Sequence, residues 1–199
     1  MTGLLSVFLH ETGHGVSAYL TGYPVSTGFN KVGDYGKKPS DPDFRAEHKN
    51  YEYPWDMGPF LTLLLAILFT CLLAKIDNPF LLYLVAGFAF ANSLLRLLPM
   101  LNSYSFFLLT GNLITEDEIG MGILWYKRSG WSFLKYLPSI ISLVVSAICL
   151  KNVIRLLNRK LPNLMAAGWW FAVTSLGAFL ALVKVIPFLD EHFRINWLR

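Results

Sequence analysis

MGPFLTLLLAILFTCLLA, residues 57–74, carries no charged side chain. Eighteen uncharged, mostly apolar residues in a helix are long enough to cross a hydrocarbon core of roughly 30 Å. Three more stretches, 78–95, 97–115 and 161–183, are equally free of charge. Only 15% of the 199 residues are charged and 54% are hydrophobic. A soluble domain usually carries nearer a quarter charged residues, because its surface must face water. Several such runs in so short a chain have no soluble core to enter, so the chain reads as a polytopic integral membrane protein, embedded in a lipid bilayer.

The remaining composition narrows the function classes. The net charge of +4 comes without a basic stripe interleaved with aromatics, so no nucleic-acid partner is expected. Cys71 and Cys149 fall inside apolar stretches and read as small buried hydrophobes, not as a disulfide framework. The N-terminus shows neither a basic leader nor a small-residue cleavage site, and is not read as a removable signal peptide.

The pattern predicts an all-α bundle of about five to six transmembrane helices with one re-entrant or broken segment. The expected spans are residues 2–21, 57–74, 80–98, 132–150 and 164–189. The connector 22–56 is polar and rich in Pro and Gly and reads as an exposed loop, with a short hairpin around VSTGFNKVGDYG (residues 25–36). Residues 99–130 are ambiguous, because Pro99, Asn102 and Gly111 interrupt an apolar run. Irregular backbone at membrane depth needs protein or a water-lined cavity around it, so a re-entrant segment is expected there, with a sixth span as the rival. Lys151, Arg155, Arg159 and Lys160 place their connector in the cytoplasm by the positive-inside rule. With five spans the N-terminus is then cytoplasmic and the 22–56 loop lies outside the cell membrane.

FLHETGHGVSAYLTGYPV, residues 8–25, sets His10, Glu11 and His14 within the first expected span. Residues i and i+4 of a helix lie on one face, about 6 Å apart along the axis, so both imidazoles can reach one ion. Zn²⁺ accepts such nitrogens at about 2.0–2.1 Å and keeps a position open in catalytic sites. Glu11 beside the first ligand is then the general base that takes a proton from the attacking water. Ionisable groups inside a span are costly and mark functional sites. A third protein ligand is required, and His48 and His192 lie in polar segments far from that depth. Glu116, Asp117 and Glu118 end the ambiguous apolar stretch. On residue chemistry alone they fit a metal ligand and a solvated helix N-terminus equally well.

HETGHGVSAYLTGYPV resembles the first signature of the site-2-protease-like intramembrane zinc metalloproteases, and MGPFLTLLLAIL is similar to the Gly-Pro-led second core helix of that family. The stretch NSLLRLLPMLNSYSFFLLTGNLITEDEIG, residues 92–120, stands where the family carries an Asn-Pro-rich break followed by Leu-Asp-Gly. Here Pro99 and Asn102 supply the break, while Asp117 is followed by Glu118 rather than by glycine. The resemblance implies one Zn²⁺ per chain held by His10, His14 and Asp117, with Glu116 and Glu118 as alternate third ligands. It implies a metalloprotease core over residues 1–130, with two additional C-terminal helices over 131–199. The implied reaction is hydrolysis of a peptide bond in a membrane-anchored protein substrate. Asn92 or Asn102 would hydrogen-bond the developing oxyanion, or else serve as polar helix-end residues. The 22–56 loop and residues 99–115 are the expected gates. A zinc-dependent membrane hydrolase acting on lipid, or an inactive metal-binding protein, is the alternative.

Overall fold

The computed structural model describes residues 2–29, 31–44, 57–114, 116–161 and 185–198. Helix α1 (Thr2–Thr21) leads into strands β1 (Val25–Thr27) and β2 (Val32–Asp34). Helices α2 (Met57–Lys75), α3 (Pro79–Thr110) and α4 (Asp117–Ser129) follow, then a 3-10 turn at Ser132–Lys135 and helix α5 (Leu137–Lys160). A helical stretch at 185–192 precedes strand β3 (Ile195–Trp197).

Helices α2, α3 and α5 are long and apolar enough to cross a membrane, and this is a membrane protein on that ground. Among the described residues three helices meet those criteria, where the sequence reading expects five to six spans. The first expected span is a helix, α1, with one face buried and Leu5, Tyr19 and Leu20 exposed. Ser6, His10, Glu11, Gly13, His14, Gly15, Ser17 and Ala18 are all buried in it. The fifth expected span, 164–189, falls mostly outside the described residues.

The spanning helices pack around an apolar cluster of Leu73 from α2, Leu82, Val85, Ala86 and Ala89 from α3, and Val153 from α5. Local chemistry sets their ends. Asn78 caps α3 by accepting from the amides of Phe80 and Leu81 at 3.0 and 3.2 Å, with Pro79 just inside the start. Lys160, at the end of α5, donates to the carbonyls of Ala74 and Ile76 and to Asp77, tying α5 to the α2–α3 turn.

Helix α3 corrects the expected break. Pro99 lies inside one continuous helix ending at Gly111, which adopts φ 74° and donates its amide to Phe107. Proline removes one backbone donor, but neighbouring groups can keep such a helix intact in a bundle. Here the segment beyond Pro99 is pinned on two sides. Ser103 Oγ donates to the Ile114 carbonyl at 2.7 Å, and the Tyr104 hydroxyl lies 2.6 Å from Ser139 Oγ on α5. Neither a re-entrant segment nor a sixth span is formed by residues 99–110. The expected fourth span is shifted too: α5 starts at Leu137, where Pro138 occupies the first turn, and runs through the basic stretch to Lys160.

The expected hairpin is present as β1 paired antiparallel with β2. The sheet has an unexpected third member, since β3 pairs antiparallel with the other edge of β1, matching Val25 with Trp197 and Thr27 with Ile195. Residues 25–27 are therefore buried and not part of an exposed loop. Trp197 packs on Gly15 of α1, where a Cβ would collide with the indole. Arg194 anchors the strand by donating to Ser26 Oγ and the Ser26 and Lys31 carbonyls.

Candidate metal centre

His10 and His14 share a face of α1, as their spacing requires, and both are buried at 6% exposure. Their presentation depends on a close crossing with α2. A Cβ on Gly13 would come within 2.6 Å of the Met57 carbonyl oxygen, and a Cβ on Gly58 would strike the His14 ring. Two glycines thus let the helices approach until the imidazole of His14 fits between them.

Thr62, one turn further along α2, fixes the tautomer of His10. Its hydroxyl donates to the Gly58 carbonyl at 2.8 Å, so it accepts from His10 Nδ1–H at 3.1 Å. The lone pair of His10 is left on Nε2, facing the site. Partners of this kind orient metal-binding histidines and raise their basicity.

Asp117 completes the group from the first turn of α4, a position that favours a carboxylate. Its Oδ2 lies 3.0 Å from His10 Nε2 and 3.4 Å from His14 Nε2, and the two imidazole nitrogens are 3.2 Å apart. Donors about 2.0–2.1 Å from a tetrahedral ion stand about 3.3 Å from one another, so this triangle has the dimensions of one face of such a shell. The His10, His14 and Asp117 cluster can hold a metal ion.

The other expected residues occupy distinct places. Glu11 is buried at 7% exposure, in the field of His14, Asp117, Asp190 and Arg96. Glu118 is fully enclosed, accepting from Ser142 Oγ at 2.7 Å and from Arg96 Nη1 at 3.3 Å. Glu116 is the N-cap residue of α4 and makes no capping bond with its side chain. Burial, with the adjacent carboxylates of Asp117 and Glu118, pushes its carboxyl above the usual range. Asn92 is buried one turn below Arg96, with its amide donating to Ser6 Oγ and the Phe88 carbonyl, both at 2.9 Å. Asn102 is exposed. His192 is exposed beside Phe188, and His48 lies outside the described residues.

Sequence reasoning missed Arg96, Thr62 and Ser142. For Arg96 a signal existed, since it is the one charge separating the uncharged stretches 78–95 and 97–115. It is buried at 6% exposure, with Nη1 3.4 Å from Asp117 Oδ2. Thr62 and Ser142 give no comparable signal, because hydroxyl residues are ordinary in apolar helices.

Comparison of the chain with protein-family models, with curated proteins and with solved structures returns no match.

Proposed function

We propose that the chain is an intramembrane zinc metalloprotease that hydrolyses a peptide bond of membrane-anchored proteins. The observation that carries this reading is the convergence of His10 Nε2, His14 Nε2 and Asp117 Oδ2 to within 3.0–3.4 Å of one another, with Glu11 buried beside them. Two imidazole nitrogens and a carboxylate oxygen this close together in a buried site suit a cation shared among them.

Zinc held there would supply Lewis acidity to a carbonyl oxygen and bring the pKa of water toward neutrality. The chain's own residues do the rest. Thr62 keeps His10 in the ligating tautomer. Glu11 accepts a proton from the attacking water and returns it to the leaving amine. The apolar helices restrict access of bulk water, which strengthens every electrostatic interaction in the site.

The test uses the purified chain in detergent or liposomes, with zinc content measured beside cleavage of tagged single-span proteins and turnover of lipids. We expect one zinc per chain and peptide cleavage. Glu11→Gln should retain zinc and lose cleavage by about 10²–10⁴-fold, the range for general acid–base catalysis. Lipid turnover without peptide cleavage would replace the protease reading with a lipid hydrolase. Zinc binding with neither activity would leave a metal-binding protein.

A further inference from the structure

Hydrolysis of an amide moves negative charge onto the carbonyl oxygen as water adds to the carbon, and a group must receive that charge. The two asparagines expected in this role do not offer it: the amide hydrogens of Asn92 go to Ser6 and Phe88, and Asn102 is exposed. Arg96 stands in the right place instead. Its Nη1 is 3.4 Å from Asp117 Oδ2 and its Nη2 is 3.5 Å from His10 Nε2, so the guanidinium edge spans one side of the ligand triangle.

The same side chain is held from behind. Nη1 also faces both oxygens of Glu118 at 3.3 and 3.4 Å, and Ser142 on α5 fixes that carboxylate. These contacts are long for charge-assisted bonds, which close to about 2.7–2.9 Å. Arg96 Nε is buried and makes no hydrogen bond. A guanidinium with five N–H groups thus keeps donor capacity beside the metal ligands while its position is set by Glu118.

We propose that Arg96 is a catalytic residue of this site, its guanidinium donating to the carbonyl oxygen of the scissile amide as that oxygen becomes negative. The inference rests on the peptidase reading above. Water oxygen bonds to the carbonyl carbon, the π pair moves to the carbonyl oxygen beside Arg96, and Glu11 takes the water proton. The pair then returns, the C–N bond breaks, and the amine leaves with the proton from Glu11. Burial makes such a charge worth far more than it would be in water.

The test compares the zinc-loaded full chain with Arg96→Gln and Arg96→Lys. Five quantities are read: zinc per chain, the rate of zinc stripping by 1,10-phenanthroline, kcat, KM, and affinity for a phosphinic pseudopeptide that mimics the tetrahedral anion. In Arg96→Gln zinc content and stripping should be unchanged, with kcat down about 10²–10³-fold at similar KM. Phosphinate affinity should fall in step, and Arg96→Lys should recover part of both. Undiminished phosphinate affinity in zinc-loaded Arg96→Gln would overturn the proposal. So would loss of zinc in proportion to activity, since Arg96 would then only position the ligands. If Arg96→Gln does not fold, Arg96→Met with Glu118→Met removes the buried pair together and is held to the same outcomes. Should the wild type cleave no protein, the peptidase reading fails, while phosphinate affinity still tests Arg96 separately.

Discussion

Asp117 and Glu118 are neighbouring carboxylates with unlike surroundings. Asp117 turns Oδ2 to the two imidazoles, while Glu118 is enclosed by Arg96 and Ser142. Their substitutions should therefore fail differently. Asp117→Ala is expected to lose zinc, Glu116→Ala to keep it, and Glu118→Ala to keep it while unfolding more easily. The last change leaves the buried guanidinium with Asp117 as its one remaining carboxylate among the described contacts, a loss of up to about 3 kcal/mol. Metal analysis and thermal unfolding of the three variants check this, and full zinc in Asp117→Ala would remove it as the ligand. Thr62→Val should weaken zinc binding about 10–100-fold by releasing the His10 tautomer, the usual effect of losing such a partner. The histidine pair was legible because helical spacing alone puts residues i and i+4 on one face. Thr62 was not, since its role arises only from the crossing of α1 and α2.

That crossing is an element-scale property, and two glycines make it. Gly13 meets backbone atoms of Met57 and Gly58, which cannot swing aside as a side chain would. Gly13→Ala should force α1 and α2 apart, cost about 1–3 kcal/mol as overpacking, and weaken zinc binding. Gly3→Ala is the contrasting change, because a Cβ there meets nothing within 4 Å. It should be neutral or stabilising by up to about 1 kcal/mol through helix propensity. Equal effects of the two on the unfolding midpoint would refute the packing argument. The same scale explains what the sequence reading got wrong. Apolar runs mark helices well, but a proline inside one does not reveal whether tertiary partners hold the helix together. Ser103 and Tyr104 do so beyond Pro99, through contacts with residues 114 and 139. Strand β3 was illegible for a related reason: its partner β1 stands far away in the chain, and a three-residue strand has too little alternation to be noticed.

At the scale of the molecule, the helix directions set where the site lies. His10 meets Thr62, about 7 Å along α2 from Met57, and Arg96, about 25 Å along α3 from Pro79, at 1.5 Å per residue. The candidate metal site therefore lies near the Met57 end of α2 but about midway along α3, which continues about 21 Å past Arg96 to Thr110, on the side of the bundle that carries the sheet and α4. Lys160 and Asp77 mark the opposite end. Basic residues are divided between the two. Lys31, Lys37, Lys38, Lys127, Arg128 and Lys135 gather at the site end, and Lys75, Arg155, Arg159 and Lys160 at the other. The positive-inside rule counts such residues on each side, so the basic run in α5 no longer orients the chain by itself. Sidedness relative to the site is the testable quantity. In a chain with Cys71 and Cys149 changed to alanine, Lys38→Cys and Arg159→Cys should label with a membrane-impermeant maleimide from opposite faces of sealed vesicles. An impermeant chelator should then remove zinc only when applied to the face where the Lys38→Cys variant labels. Stripping from the Arg159→Cys face alone would mean that water reaches the ligands from the Lys160 and Asp77 end, against access from the side that carries the sheet and α4.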